Sequence, residues 1–314
     1  MKPQREGDSL MLEHKIGKKQ FFQEGFNYFI ENIEKYNLVP INKKDIYIYY
    51  SGGKDASLLI DFFIEYKKRF RPELEITLLT IDFPKMIYRS KDKRQQKFVK
   101  DAFNYWKGRG IQIKIIHVSP DITDAEFNEL TFPCKLCEKI KIEAMNREMD
   151  LEEYNGSLVC LGHTLDDIIG SLSEIFYCCG KSKSWRDIKE NNKELFARLI
   201  SIARWVYPTY SPQRTKATFT YIKPLMFFEE HVIREIVNER KYPLIPECCQ
   251  DFGGEKFQLY KRVVNKEIEM LKRQYSDNSA IYNNLLFRDY SSILNVFNKL
   301  ELLPPLEFIE EYEV

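Results

Sequence analysis

The stretch DIYIYYSGGKDASLLIDFFIEY, residues 45–66, decides how this chain is read. Its first part, Asp45 to Tyr50, is an apolar strand-like run, and from Ala56 onward it reads as a helix. Between them stand Ser51, Gly52, Gly53, Lys54 and Asp55. A strand that turns through two glycines into a helix presents bare backbone N–H groups at a positive helix terminus, which is a phosphate cradle. Glycine permits both the turn and the close approach of backbone to ligand. Lys54 adds a mobile positive charge, and Asp55 can orient a hydroxyl or Mg²⁺. The spacing matches neither the Walker loop nor the dinucleotide fingerprint. A bare Ser-Gly-Gly would be an ordinary turn; the flanking strand and helix and the Lys-Asp pair favour nucleotide binding.

The chain around this stretch is that of a water-soluble globular protein. Its 314 residues are 44% apolar and 30% charged, enough for one large domain with additions or for two domains. No apolar stretch is long enough to span a bilayer, and the first residues lack an apolar signal core, so a cytoplasmic location is expected. Net charge is only +1, but residues 85–110 hold nine Lys and Arg against two Asp and Glu, and residues 181–223 hold ten against three. Two such segments can line one surface, although a charge run is more often a solvated face. Seven cysteines in such a chain argue against a disulfide framework and turn attention to metal ligation.

Strand-like runs recur at residues 45–50, 74–81, 111–118, 157–162 and 220–225, with helix-like stretches between most of them. That alternation predicts an α/β fold, a doubly wound parallel sheet with helical N- and C-terminal additions. The expected organisation is a helical extension over 1–44, a nucleotide-binding domain over 45–250 and a helical region over 251–314. Residues 180–219 read as an irregular insertion or mobile flap, and the tail after Leu303 as extended.

Two further motifs carry chemistry. Cys134 and Cys137 form a C-x-x-C at the start of a helix, where the terminus lowers thiol pKa values. Alone it is ambiguous between a redox pair, a zinc half-site and a cluster half-site. Cys248 and Cys249 sit in a Pro-constrained loop far downstream, and one of them would complete a three-thiolate set. Three thiolates suit a [4Fe–4S] cluster with one open iron, whereas structural zinc prefers four ligands. Cys160 reads as core, and Cys178 and Cys179 as packing residues. The second motif is Gly162, His163, Thr164, Asp166 and Asp167, a glycine turn followed by two carboxylates in the first turn of a helix. By itself it reads as N-terminal capping by Thr164 or Asp166. Strand order sets it beside the phosphate loop and favours a functional role for His163 and Asp167.

Together, Ser51 to Asp55, Cys134 and Cys137, Gly162 to Asp167, Ile222 to Leu225 and Ile245 to Cys248 resemble the PP-loop ATP pyrophosphatases that thiolate tRNA, in both the 2-thiocytidine and 2-thiouridine branches. The resemblance covers roughly residues 45–270. It implies an adenine-nucleotide α-hydrolase-like sheet and an ATP-dependent sulfurtransferase that forms AMP and pyrophosphate. Such an enzyme adenylates a carbonyl oxygen, here C2 of a tRNA pyrimidine, and replaces it with sulfur. Carried over, Cys134, Cys137 and Cys248 hold the [4Fe–4S] cluster, with Cys249 the fallback for Cys248. Ser51, Gly52, Gly53, Lys54, Asp55, Ser57 and Gly162 hold ATP and Mg²⁺. Asp82 contacts the adenosine, and Lys54, Asp55, His163 and Asp167 act catalytically. tRNA, a sulfide or persulfide donor and a second copy of the chain are the expected partners, with no membrane. One departure stands out: the family carries Ser or Thr after the loop aspartate, and this chain has Ala56, then Ser57. A sulfur-inserting enzyme acting on a small molecule or carrier-bound amide, and a non-catalytic nucleotide- and cluster-binding sensor, remain the alternatives.

Overall fold

The computed structural model describes residues 21–82, 93–118, 134–179, 184–212, 216–246 and 290–312. The expectations for Cys248, Cys249 and residues 256–289 lie outside the described residues. Six strands form one sheet: β1 (Asp45–Tyr49), β2 (Glu75–Asp82), β3 (Gln112–His117), β4 (Leu158–Cys160), β5 (Thr209–Tyr210) and β6 (Thr220–Ile222), in the order β3-β2-β1-β4-β6-β5. All neighbours pair in parallel except β5 with β6. Helices run between the strands, so the predicted doubly wound α/β fold is the one observed.

The order reverses at β1, which has β2 on one side and β4 on the other. In an open parallel sheet that switch point opens a crevice beyond the carboxyl ends of the strands. The Gly52 turn leaves β1 there, and Gly162 leaves β4 beside it. Alternation along β1 feeds two cores. Ile46 and Ile48 pack with helices α1 (Phe21–Lys35), α2 (Lys54–Arg69) and α3 (Lys93–Lys107), while Tyr47 and Tyr49 face the opposite layer. That layer holds Ala144, Met145 and Met149 of α4 (Cys134–Met149).

α1 is not a loose extension. Its Phe22, Phe26 and Phe29, spaced for one helical face, stack on Phe62 of α2 at ring distances of 5.0–5.9 Å. Gly25 allows this seat, since a Cβ there would stand 2.5 Å from Ile236 Cδ1 on α8 (Glu230–Arg240).

Two expectations are corrected. Within 180–219, the described residues 184–212 form α6 (Trp185–Asn191), α7 (Lys193–Val206) and strand β5, and Phe196, Leu199, Ile200, Ala203 and Val206 are buried. Those five residues recur at helical spacing; the abundant Lys and Arg on the other face masked a helical stripe. The tail also differs. Pro304 and Pro305 precede a short helix α10 (Leu306–Glu311), with α9 (Tyr290–Lys299) before them, because proline is well suited to the start of a helix.

Lys223, directly after β6, is fully buried. Its Nζ donates to the carbonyls of Arg204, at 2.9 Å, and Tyr207, closing the C-terminal end of α7. Burial pulls its ammonium down to about 7. The unfolded chain keeps lysine's ordinary value, so between about 7 and 10 unfolding takes up a proton. Raising the pH through that window should therefore stabilise the wild type, by roughly 1 kcal/mol per pH unit. Lys223→Met should lack this increment, which urea unfolding at pH 7 and pH 9 would read.

Candidate functional site

The phosphate loop is built from both ends. Upstream, Tyr50 is buried, its N–H donates to the Leu79 carbonyl at 2.8 Å, and its hydroxyl accepts from Trp106 Nε1 at 3.1 Å. Downstream, Gly53 is the N-cap of α2 in extended conformation, with no side-chain cap. The first N–H groups of α2 are thus left to another acceptor. At the far end, Lys67, Lys68 and Arg69 complement the helix dipole. Ser51 Oγ accepts from Gly53 N–H at 3.3 Å. Ser57 is buried and donates to the Gly53 carbonyl at 2.9 Å, so it braces the loop from beneath and does not open toward a ligand. Ala56 is buried beside it.

Gly52 has φ +84°, and a Cβ there would stand 2.4–2.7 Å from Ile245 side-chain atoms. The Gly52 carbonyl also accepts from Ile245 N–H at 2.9 Å. The segment after α8 is therefore docked on the loop. Asp61 of α2, 2% exposed, anchors that segment: it accepts from Arg240 Nε at 2.8 Å, Tyr242 Oη at 2.8 Å and Arg109 Nη1 at 3.0 Å. Ile245 belongs to a motif quoted from the sequence, but its contact with Gly52 and the anchoring role of Asp61 are visible only here. The signal for Asp61 was a lone acid in an apolar helix run.

The charged groups of the loop form a compact set. Lys54 Nζ lies 3.0 Å from Asp55 Oδ2 and 3.3 Å from Glu230 Oε1, and Glu230 Oε1 also pairs with Arg234 at 2.7 Å. Asp55 Oδ1 is buried, with no hydrogen-bond partner among the described residues. Burial lifts the Asp55 carboxyl above the usual carboxylate range; Lys54 opposes the rise and the charges of Asp167 and Glu230 add to it. An orphaned carboxylate oxygen beside a phosphate cradle fits a Mg²⁺–nucleotide, whose cation would relieve its burial.

The Gly162 turn lies against this set, its Cα placed so that a Cβ would be 3.4 Å from Ala56 N and 3.5 Å from Asp55 Cβ. Leu161 and Leu165 N–H donate to the carbonyls of Ile222 and Phe228, both at 2.9 Å. Asp167 Oδ2 accepts from Thr164 N and Oγ1 at 2.9 and 3.1 Å, a cap of α5 (Leu165–Cys179). Asp166 Oδ2 accepts from Glu230 N–H at 2.7 Å and caps α8. The carboxylate pair thus carries capping roles, and Asp167 reaches the loop through its field on Asp55. The His163 ring lies 5.0 Å from that of Trp205 on α7.

Asp82 ends β2, in register with His117 of β3. Cys134 and Cys137 occupy the first turn of α4, their side chains outside the described set, as are those of Cys178 and Cys179. Cys160 is buried in β4, as expected, and burial raises its thiol pKa. Among the described residues no group of three His, Cys, Asp or Glu is placed to hold a metal ion. Among them, too, no helix is long and apolar enough to cross a membrane.

The fold is an open, mostly parallel α/β sheet with a glycine turn leaving β1 at its switch point. No protein-family model matches the chain. It is 26% identical over 263 residues to tRNA-cytidine(32) 2-sulfurtransferase 1 of Francisella tularensis, covering 83% of this chain and 82% of that one. It is 23% identical over 245 residues to tRNA-cytidine(32) 2-sulfurtransferase of Haemophilus ducreyi, covering 77% of this chain and 65% of the relative's length. The U34-tRNA thiolase NcsA from Methanococcus maripaludis, solved with its [4Fe-4S] cluster, shares the fold at a TM-score of 0.60 and 17% identity, over 94% of this chain and 86% of that one. These similarities agree with the resemblance carried by the motifs: the similar proteins are named as tRNA sulfurtransferases and a tRNA thiolase.

Gly52→Ala should abolish ATP binding in calorimetry, since it meets both a disfavoured φ and the Ile245 side chain. Adding Ile245→Gly, which removes Cβ as well as the outer atoms, takes away the clash and leaves the dihedral cost of about 1–2 kcal/mol, so the double variant should recover part of the affinity. Equal loss in both would show that contact with Ile245 is immaterial.

Proposed function

We propose that this chain is an ATP-dependent tRNA sulfurtransferase that adenylates a carbonyl oxygen of a pyrimidine base, C2 in this reading, and replaces that oxygen with sulfur. The observation that carries the proposal is the docking of Ile245 on Gly52. Cys248 follows Ile245 by three residues, and three residues of chain span at most about 11 Å. The described end of that segment, at Ile245, is held against the glycine turn. α4 supports the same convergence: it delivers the chain toward the start of β4, so its Cys134 end is the one nearer the carboxyl edge of the sheet.

In this reading the open N–H groups at the start of α2 and Lys54 receive the β and γ phosphates. Lys54 leaves Glu230 for the phosphates, and Glu230 keeps its pairing with Arg234. Asp55 holds the nucleotide's Mg²⁺ through the oxygen left without a partner. The base carbonyl oxygen attacks the α-phosphorus, the bond to the bridging oxygen breaks, and pyrophosphate leaves. The base is then an AMP ester whose C–O bond has a good leaving group. Attack by sulfur at that carbon expels AMP. Cys134, Cys137 and Cys248 would hold a [4Fe–4S] cluster, which supplies a soft site able to carry sulfide. His163, next to the Gly162 turn, would hold or move a proton as the carbonyl is activated. The covered share of the relatives and their shared name for the reaction support the substrate class.

Anaerobically purified protein should contain about four irons and a matching amount of sulfide per chain. Nucleosides from a deletion strain, read by mass spectrometry, should lack one 2-thiopyrimidine. Zinc in place of iron, or an unchanged nucleoside profile, overturns the proposal; ATP binding without pyrophosphate release on any acceptor favours the sensor. The nucleotide site has its own test. Asp55→Asn should weaken Mg²⁺–ATP binding by about 10–100-fold in calorimetry. Wild-type affinity should fall on acidification through the raised Asp55 range, because protonation removes the cation's ligand, and the variant should show no such dependence.

A further inference from the structure

We propose that Trp205 is the platform on which the substrate's nucleobase stacks, an unpaired RNA base presented to the loop; this rests on the reading of the chain as a tRNA sulfurtransferase. The chain has three tryptophans. Trp106 and Trp185 are buried, whereas Trp205 is 40% exposed. A single exposed apolar side chain is ordinary on a protein surface, so exposure by itself decides nothing. The surroundings of Trp205 do.

The indole lies 5.0 Å from the His163 ring, at an interplanar angle of 35°. His163 follows Gly162, whose backbone packs on Asp55 and Ala56. One imidazole therefore separates the exposed indole from the phosphate loop. From inside the protein, Lys223 Nζ stands 5.9 Å from the Trp205 ring centroid, while its own position is fixed by the Arg204 and Tyr207 carbonyls on either side of that residue. Held by those carbonyls, the Lys223 side chain backs the ring from inside. Outward, Ser201 and the exposed Arg198 precede Trp205 by four and seven residues, on the same face of α7. An aromatic face with a guanidinium about two turns, roughly 10 Å, further along the same helix face can serve single-stranded nucleic acid, the ring taking a base and the cation the backbone. RNA recognition of this kind uses bases splayed out of loops.

The platform also stands on one flank of the loop, the side of β4 and β6, with β2 on the other. In-line displacement at phosphorus puts attacking and leaving oxygens on opposite sides. The acceptor and the pyrophosphate must then approach the α-phosphate from different directions. A basic, aromatic flank suits a polyanionic acceptor.

The test uses the full-length protein, purified anaerobically, and an unmodified transcribed tRNA. Tryptophan emission should be quenched on titration, because only Trp205 of the three tryptophans is exposed. By filter binding, Trp205→Ala should weaken tRNA affinity by about fivefold to a hundredfold, while Trp205→Phe, which keeps a stacking face, should stay within about threefold of wild type. Unchanged emission on tRNA binding overturns the platform, as does equal affinity for the Ala variant. Quenching by ATP alone, without tRNA, also overturns it by assigning the indole to the nucleotide's adenine. The wild-type titration needs no variant to fold. If the wild type binds no tRNA, the sulfurtransferase reading falls with the platform; if it binds tRNA with Trp205 silent, only the platform falls.

Discussion

The site depends on how one glycine is held. Gly52 turns the chain from β1 into α2 with a positive φ, and its carbonyl and bare Cα face are occupied by Ile245. A loop of backbone N–H groups binds phosphate well only when it is already in place, since ordering it on binding would consume affinity. Here the order is supplied from nearly two hundred residues away in sequence. The segment that supplies it is fastened by Asp61, whose buried carboxylate gathers Arg109, Arg240 and Tyr242. A carboxylate so deeply buried is tolerated because two guanidinium groups and a phenol satisfy both of its oxygens. One acid on α2 thus ties together the turn before β3, the end of α8 and the segment that leads to the cysteine pair.

The charges of the loop are arranged around a missing partner. Lys54 is shared between Asp55 and Glu230, and Glu230 is shared between Lys54 and Arg234. Such a chain of ion pairs can exchange one anion for another without stranding a charge. When phosphate oxygens replace Glu230 at Lys54, Arg234 still holds Glu230. Asp55 is the group under tension: burial and two neighbouring carboxylates raise its pKa, and one oxygen has no hydrogen bond among the described residues.

The described parts of the insertion change the picture of the second flank. Residues read as irregular and basic proved to be two helices whose apolar stripe joins the main core. The misreading has a physical origin. Lys and Arg on one face dilute a hydrophobic pattern when composition is averaged, although periodicity survives. The same packing presents Trp205 outward next to His163, a juxtaposition that residues 42 apart in sequence do not announce.

Much of the fold was legible. Five strand-like runs and the helix starts followed from alternation and period, and Ser51 to Asp55 announced a phosphate loop because strand, glycine pair and helix stand in immediate succession. These are local patterns, and local patterns report local conformation. Long-range partnerships were not legible: Ile245 against Gly52, Glu230 against Lys54, Asp166 capping the distant α8, and the inward turn of Ser57. By itself, then, the amino-acid order determined that this is a parallel α/β protein with a glycine turn between its first strand and the helix that follows. Only the tertiary structure decided which distant side chains brace that loop and charge its surroundings, because contacts across the sheet's crevice depend on how helices pack and leave no periodic trace along the chain.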